Sequence, residues 1–470
     1  MKNSKKLFCA AFLFLLTSWL LLLPLQASAA DQHITLNVKN GSDISDAFNA
    51  ATKSARSCSG DTYITIPAGS YTAGSQLKVW SNTHISMNGV TIKKTSASNT
   101  MLRLGNKSDW EAANNGAGYS GYSGYSNISF EGGTWDGGGY SQQIMRFGHS
   151  TNITIKNATF RNVKDTHHME FGACKNVTIT GCTFCDFTGT WSSSTNREAL
   201  QFETLAAGSG HFSAYNPNGD ETPCQNVTIS GCTFRNLERG IGTHTAIANS
   251  YFTNFYITNN TFENITGYAI SAFNYKDSVI SWNKISNCGS GIRFWTMDRN
   301  GAKKFYSSAK NSNSRAKAET MNSYITQNTI SITAGYKATY SGSKYHYGIQ
   351  LYGAKFSKKT GNAPAGDWRV SGVTVSSNTI TMNYKYSYGI MMEGAYNDKI
   401  EGNKITSAKT SGIYASGSTS VALKSNTLTK CKIGITAASK SNITETGTVY
   451  KSCKKKKSFK GSSKINGKKK

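Results

Sequence analysis

The nine residues Asn176–Phe184, NVTITGCTF, return almost unchanged as NVTISGCTF at Asn226–Phe234. A chain that copies itself in this way folds by stacking similar units rather than by enlarging one core. Weaker copies begin at Asn127, Asn152, Phe255, Ser278, Tyr324, Val373, Asp398 and Val421. A second motif recurs between them: MEFGA at Met169, ALQFE at Ala199, GIGTH at Gly240, AISAF at Ala269, GIRFW at Gly291, GIQLY at Gly348 and GIMME at Gly389. Both motifs alternate apolar and other residues at period two, are rich in β-branched side chains and are bounded by Gly, Asn and Ser, so each reads as a short strand. Where no insertion intervenes, the repeat is roughly twenty-odd residues, the range of solenoids. The pattern predicts an all-β chain wound as a right-handed, single-stranded parallel β-helix.

The flanks divide the chain into three. Met1–Ala30 has Lys2, Lys5 and Lys6, an apolar run from Leu7 to Leu25 and Ala27-Ser28-Ala29, the layout of a cleaved secretory signal. Residues 31–450 form the predicted β-helix domain. Within it Asp43–Ser57 is the one helical window, with apolar Ile44, Phe48 and Ala51, and is expected to cap the open end of the solenoid. Lys451–Lys470, KSCKKKKSFKGSSKINGKKK, reads as a disordered basic arm. The product is expected to be secreted, extracellular or cell-wall associated, with no span left after signal removal.

Asn260, Asn283, Asn328, Asn378, Asn403 and Asn426 share one repeat position, where stacked amides can hydrogen-bond from coil to coil. Cys182 and Cys232 occupy that position on two coils, and Cys174 and Cys224 stand two residues before their repeat Asn. Strands of adjacent coils lie about 4.8 Å apart, within the Cα separation a disulfide spans. Disulfides Cys174–Cys224 and Cys182–Cys232 are therefore expected; for Cys182 and Cys232, buried thiols standing in for Asn are an equal alternative.

The longest insertions, Gly105–Ser126, Thr204–Gln225, Asp298–Met321 and Gly353–Ser371, mostly follow second-motif strands, so loops should wall a groove along that sheet. Alternation points the middle residue of IRF or LQF outward. Aligning the coils gives a column Arg146, Glu170, Gln201, Gly242, Ser271, Arg293, Gln350 and Met391. A second column, two residues on, reads Gly148, Gly172, Glu203, His244, Phe273, Trp295, Tyr352 and Glu393. Glu170 and Glu203 should lie about 8 Å apart, a spacing that suits an inverting pair of glycosidase carboxyls. His244 and Arg293 complete the candidate catalytic set. Arg146, His168, Gln201, Phe273, Trp295 and Tyr352 are candidate substrate contacts, with aromatic rings to stack on sugars and guanidinium groups to hold carboxylates. Asp136 in WDGGG is expected to serve a turn. No Cys or His spacing suggests zinc, no Gly-rich phosphate loop precedes a helix, and neither metal nor cofactor is expected.

The segment TYITIPAGSYTAGSQLKVW, from Thr62, resembles the pectate-lyase-like superfamily and phage tailspike proteins, which implies the same β-helix. The turns bearing the candidate site resemble those of polygalacturonase-type glycoside hydrolases. In that family they carry Asn-Thr-Asp, Asp-Asp, Gly-His-Gly and Arg-x-Lys; here the corresponding places read Asp165-Thr166-His167, Glu198-Ala199, Gly240-Ile241-Gly242 and Arg293-Phe294-Trp295. Only Arg293 carries over residue for residue, and the three family aspartates are absent. The formal charge is +27, and the body between signal and arm keeps +14 once the lysines of both are set aside. Such a balance calls for an anionic partner; export argues against nucleic acid. The sequence thus leads to a secreted enzyme that cleaves an acidic, uronate-containing polysaccharide by hydrolysis, its basic arm holding anionic cell wall. A lyase acting by β-elimination and a non-catalytic glycan-binding β-helix are the alternatives.

Overall fold

The computed structural model describes residues 30–105, 120–189, 197–206, 220–302, 305–306, 315–333 and 344–468. Met1–Ala29, and with it almost all of the expected signal, lies outside them, as do parts of the first three long insertions. The repeats wind into a right-handed parallel β-helix with three long parallel sheets, of 18, 13 and 13 strands. One coil shows how the motif makes it. Met169–Gly172, the second motif, lies in a 13-stranded sheet; Lys175–Thr180 lies in the 18-stranded sheet, and Thr183–Phe187 in the other 13-stranded sheet.

The corner between the last two strands is Gly181, at φ +63°, where an added Cβ would lie 2.5 Å from the Asn157 side chain of the preceding coil. Glycine meets both demands without strain, while on other coils Asn157, Asn259 and Gln327 hold the same corner at positive φ. Successive coils then pair in register, Val177 on Val227, Ile179 on Ile229 and Phe184 on Phe234, so like side chains stack on like. Trp135, Phe160, Phe184, Phe234 and Phe262 form a continuous column with centroids 4.7–6.5 Å apart and nearly parallel rings.

The asparagine position forms a buried ladder. Asn328 donates from Nδ2 to the Ile280 carbonyl and to Asn378 Oδ1, both at 2.9 Å, and its own Oδ1 accepts from the backbone and side chain of Asn283. The same bonds link Asn260, Asn283, Asn378, Asn403 and Asn426. Cys232 enters the ladder as a thiol: its N–H donates to Asn260 Oδ1 at 2.9 Å and its Sγ faces the Ile179 carbonyl as Asn260 Nδ2 faces that of Ile229.

The expected disulfides are not formed; Cys174, Cys182, Cys224 and Cys232 are all free and buried. In-register parallel stacking aims the two Cβ bonds of each pair the same way. The sulfurs of each pair come within hydrogen-bonding reach as thiols, and Cys174 N–H donates to Cys224 Sγ at 3.3 Å. Proximity was read correctly and direction was not.

The N-terminal edge is closed as expected by a helix, Ser45–Ser54, which buries Phe48 and Ala51. Its Asn49 bonds both Gln76 O and Lys78 N along the edge strand Leu77–Val79. The basic C-terminal segment is a correction. Val449–Lys451, Lys455–Phe459 and Lys464–Ile465 add a further coil, paired to Thr427–Thr429, Ile433–Ala438 and Asn442–Thr446. Alternation survives the lysines: Phe459 and Ile465 continue the inward positions of Ala437 and Ile443, Ser458 continues the outward column after Thr436, and Lys457, in register with Ile435, pairs with Glu445 at 2.6 Å. Lysine on a terminal strand also discourages edge-to-edge association.

Two outcomes follow from these ladders. Asn328→Ala leaves the Asn283 N–H and two carbonyls unpaired and is expected to cost about 3 kcal/mol or more in denaturant unfolding, with Asn328→Cys milder because a thiol serves at Cys232; equal losses for both would remove the account. Asp398 accepts from Val373 N–H at 2.7 Å in the role that Ser278 and Ser323 play on neighbouring coils. Burial pushes its pKa well above the ordinary 3.8. The folded chain thus keeps a proton that the unfolded chain has released, and stability from this group falls as pH rises above the ordinary carboxyl range. Asp398→Ser is expected to raise the unfolding midpoint at pH 8 relative to the parent, with the gain shrinking toward pH 4.

Candidate functional site

The outward face of the second-motif sheet has the register read from the sequence. Arg146 pairs with Glu170, Glu170 with Gln201, Gln201 with Gly242, Gly242 with Ser271, Ser271 with Arg293, Arg293 with Gln350 and Gln350 with Met391. These side chains point away from the coil, yet Glu170, Gln201 and Arg293 are buried, so neighbouring side chains and loops cover them.

Two centres lie along this face. The first gathers charge. Glu170 accepts from Arg146 Nε at 2.5 Å and from Gln143 Nε2 at 2.8 Å. Burial pushes its pKa up, but Arg146, His167 and the two hydrogen bonds outweigh that and hold it below the ordinary value. One coil on, Glu198 is fully buried, with Oε1 bound to the Arg239 guanidinium and Oε2 2.6 Å from His244 Nε2. Burial again opposes ionisation, and His244, Arg239 and His167 together hold Glu198 well below the carboxyl range. His167 Nδ1 lies 3.0 Å from the Glu198 carbonyl oxygen and 3.5 Å from its Oε2, and its ring meets His244 edge-on at 5.3 Å. Burial first, and His244 with it, push the His167 pKa down to about 4, so that ring is neutral at neutral pH.

The second centre is a cavity of about 370 Å³ around Arg293, two rungs further on. The guanidinium carbon lies 4.0 Å from the Trp295 ring centre, 4.8 Å from Tyr352 and 5.8 Å from Tyr268. Asp298, Tyr347 and Glu393 also line it, and Gln350 is fixed there by the Tyr268 hydroxyl at 2.6 Å.

Arg293, Trp295 and Tyr352 therefore meet in one cavity, as the columns predicted. The other assignments change. Glu203 is wholly buried, its oxygens accepting from His244 N–H and Thr245 N–H, each at 2.8 Å, and from Gln201 Nε2. It ties one coil to the next and does not face Glu170 across open space. Gln201 is spent on that bond. His168 points into the coil, Nε2 on the Cys185 carbonyl and ring edge-on to Phe184, because alternation sends it opposite to His167. Phe273 is fully buried under Trp295, ring centres 3.8 Å apart, and presents no face to a ligand. Arg146 is engaged by Glu170 rather than offered to a substrate carboxylate. Asp136 serves its turn, accepting from Gly138 N–H at 2.9 Å.

His167, Glu198 and Arg239 escaped the column reading because they sit at or just before strand starts, outside the two aligned positions. The signal was present all the same: His167 and Glu198 occupy places where polygalacturonase-type turns carry aspartates.

Glu203→Ala strands two buried N–H groups and is expected to cost about 3 kcal/mol or more. Thermal unfolding checks this; a variant as stable as the parent would return Glu203 to the list of candidate acids.

The protein-family description "Periplasmic copper-binding protein (NosD)" matches residues 215–305 and 305–450, just over half of the chain. No curated protein matches it. Among solved structures, PfbA, a surface adhesin of Streptococcus pneumoniae, is similar at 18% identity over 92% of this chain and 93% of that one, with a TM-score of 0.57. The tailspike protein of E. coli bacteriophage HK620, solved with a pentasaccharide, gives 14% identity over 92% and 80%, with a TM-score of 0.57. An exopolygalacturonase from Thermotoga maritima gives 10% identity over 90% and 93%, at a TM-score of 0.48. At these identities the first two likenesses establish the fold alone, a right-handed parallel β-helix. On the extent of the family match, the chain belongs to the NosD family.

Proposed function

We propose that the protein is exported and binds an acidic, uronate-containing polysaccharide along the outward face of the second-motif sheet. The observation that carries this reading is Arg293, set in a cavity whose walls are the rings of Trp295, Tyr352 and Tyr268. A guanidinium fork pairs with a carboxylate through two charge-assisted bonds, and aromatic faces beside it suit a sugar ring. The cavity is within the size range of small-molecule sites. A formal charge of +27 draws an anionic polymer to this surface. The pentasaccharide of the tailspike protein lends support to a carbohydrate by analogy of fold. Export rests on the Met1–Ala30 layout, and among the described residues no helix is long and apolar enough to cross a membrane. The lysines of the last coil would hold the protein to anionic cell wall.

Cleavage of the same polymer is the second reading, and one feature favours it. Asp298 and Glu393 line the Arg293 cavity, Glu393 also pairing with Arg299, so two carboxyl groups would stand beside a ring held there. The pair expected from the sequence, Glu170 and Glu203, does not serve, since one is clamped by Arg146 and the other is closed off. The family's name also carries copper. Copper takes imidazole, thiolate or thioether donors; most of the thiols here lie inside the coil, and His167, Glu198 and His244 form an outward-facing donor set that fits.

Arg293→Ala is expected to weaken binding of polygalacturonate oligomers about 10- to 100-fold in calorimetry, while leaving any weak binding of neutral dextrin unchanged. Equal affinity of parent and variant for the uronate would sink the assignment. Chromatography of the incubated polymer separates the remaining readings: saturated fragments lost in Asp298→Asn or Glu393→Gln mean hydrolysis, ultraviolet-absorbing unsaturated ends mean elimination, and an intact polymer means binding alone.

A further inference from the structure

The cluster at His167, Glu198 and His244, the donor set that fits the copper of the family's name, lies outside the polysaccharide cavity and takes no part in holding the sugar. Its three residues come from different places in the chain and converge only through winding. One ring nitrogen from each histidine and a carboxylate oxygen of Glu198 lie within 4.8 Å of one another. Donors around one zinc-sized ion, each bound at about 2.0 to 2.2 Å, stand roughly 3 to 3.5 Å apart. The spacings here straddle that value: 3.5 Å from His167 Nδ1 and 2.6 Å from His244 Nε2 to the same Glu198 oxygen. Small ring rotations, without backbone movement, would admit an ion.

From this arrangement we infer that His167, Glu198 and His244 form a binding site for one divalent transition-metal ion, such as Cu²⁺ or Zn²⁺. Donor chemistry sets the class, since two imidazoles with one carboxylate suit copper, zinc or nickel, whereas magnesium and calcium take oxygen alone. Surrounding groups orient the ligands in the way that outer contacts of metal sites do. Arg239 takes Oε1 of Glu198 and so turns Oε2 toward the two rings. His167 Nδ1, the nitrogen that faces Glu198 Oε2, also lies 3.0 Å from the Glu198 backbone carbonyl, and it serves as the ligand when the proton sits on the opposite nitrogen. That opposite nitrogen, Nε2, is 3.9 Å from Glu170. Glu170 is held by Arg146 and Gln143, so it adds negative charge beside the site without being a ligand.

Access completes the case. His167 and His244 retain 8% and 9% of their surface on the outward side of the sheet, so an ion reaches them without opening the coil. The fold itself does not call for this convergence: on the coil after His244, second-motif strand Tyr268–Phe273 runs through the same sheet with Ala269, Ser271 and Phe273 and no charged side chain.

The test uses the full chain carrying Cys58→Ser and Cys453→Ser, which removes the two half-buried thiols as competing ligands, after stripping with a chelator. Calorimetric titration with Cu²⁺ and Zn²⁺ is expected to give one equivalent bound at micromolar affinity or tighter, with Mg²⁺ and Ca²⁺ giving no heat. The Cu²⁺ electron paramagnetic resonance spectrum is expected to show nitrogen coupling. His244→Gln and His167→Asn should each weaken binding at least 10-fold while keeping the parent's far-ultraviolet circular dichroism. His84→Gln, on a distant surface beside Asp61, should leave binding unchanged. Absence of stoichiometric Cu²⁺ or Zn²⁺ binding by the parent overturns the proposal, and so does binding that survives His244→Gln but is lost in His84→Gln. Neither result bears on Arg293 or on polysaccharide affinity.

Discussion

The hydrogen bonds that pass from one coil to the next through buried side chains are the constraint on which the rest of the structure depends. A parallel β-helix pairs its strands without difficulty, but each corner leaves backbone groups inside the coil with no ladder partner. Here a single residue position meets that need. The amide of each ladder asparagine caps the coil before it and the coil after it, so the corner cannot shift by one residue without breaking both. Because register is fixed there, every outward column is fixed as well, and functional side chains line up along the axis. A thiol at Cys232 continues the ladder with weaker bonds, which shows that the position needs a small donor and acceptor rather than an amide as such.

Period and register were legible in the sequence because both are one-dimensional. Like residues recur at fixed intervals, and the column from Arg146 to Met391 follows from alignment alone. Direction and depth were less legible. Cys174 and Cys224 are neighbours, as spacing requires, yet both stand as free thiols, with the Cys174 N–H on Cys224 Sγ. His167 and His168 are adjacent in sequence, and alternation alone decides that one joins the outward centre and the other a core carbonyl. Charge misled at the C terminus, where lysine density suggested disorder while Phe459 and Ile465 kept the repeat's inward positions.

Glu203 illustrates how a side chain that looks catalytic can be structural. It sits in the right column and at the right spacing from Glu170. Three donors converge on it, two from the backbone of the next coil, so removing it would strand those donors in the interior. Asp298, by contrast, opens an insertion where no periodic argument reaches, and the turn that leaves the Arg293 strand Ser290–Trp295 sets it in the same cavity. Residues on the scaffold were predictable in place, residues on insertions were not, and chemistry draws on both.

The outward charges also bear on why they are present at all. Burying Glu198 against Arg239, and Glu170 beside Arg146, carries a desolvation cost that mutual attraction only partly offsets. The fold does not require that cost, since the same column is filled elsewhere by Gly242, Ser271 and Met391 with the strands paired equally well. Charge is therefore concentrated on coils where the scaffold would accept neutral residues. Two rungs away Arg293 lies among the rings of Trp295, Tyr352 and Tyr268, with Ser271 and Gln350 as its column neighbours. One centre is internally balanced and suits a small cation held by imidazole and carboxylate; the other sets a guanidinium among sugar-sized aromatic walls and suits an anionic ring. That difference in surroundings, imidazole and carboxylate at one centre and aromatic rings at the other, is what the two proposed binding roles rest on.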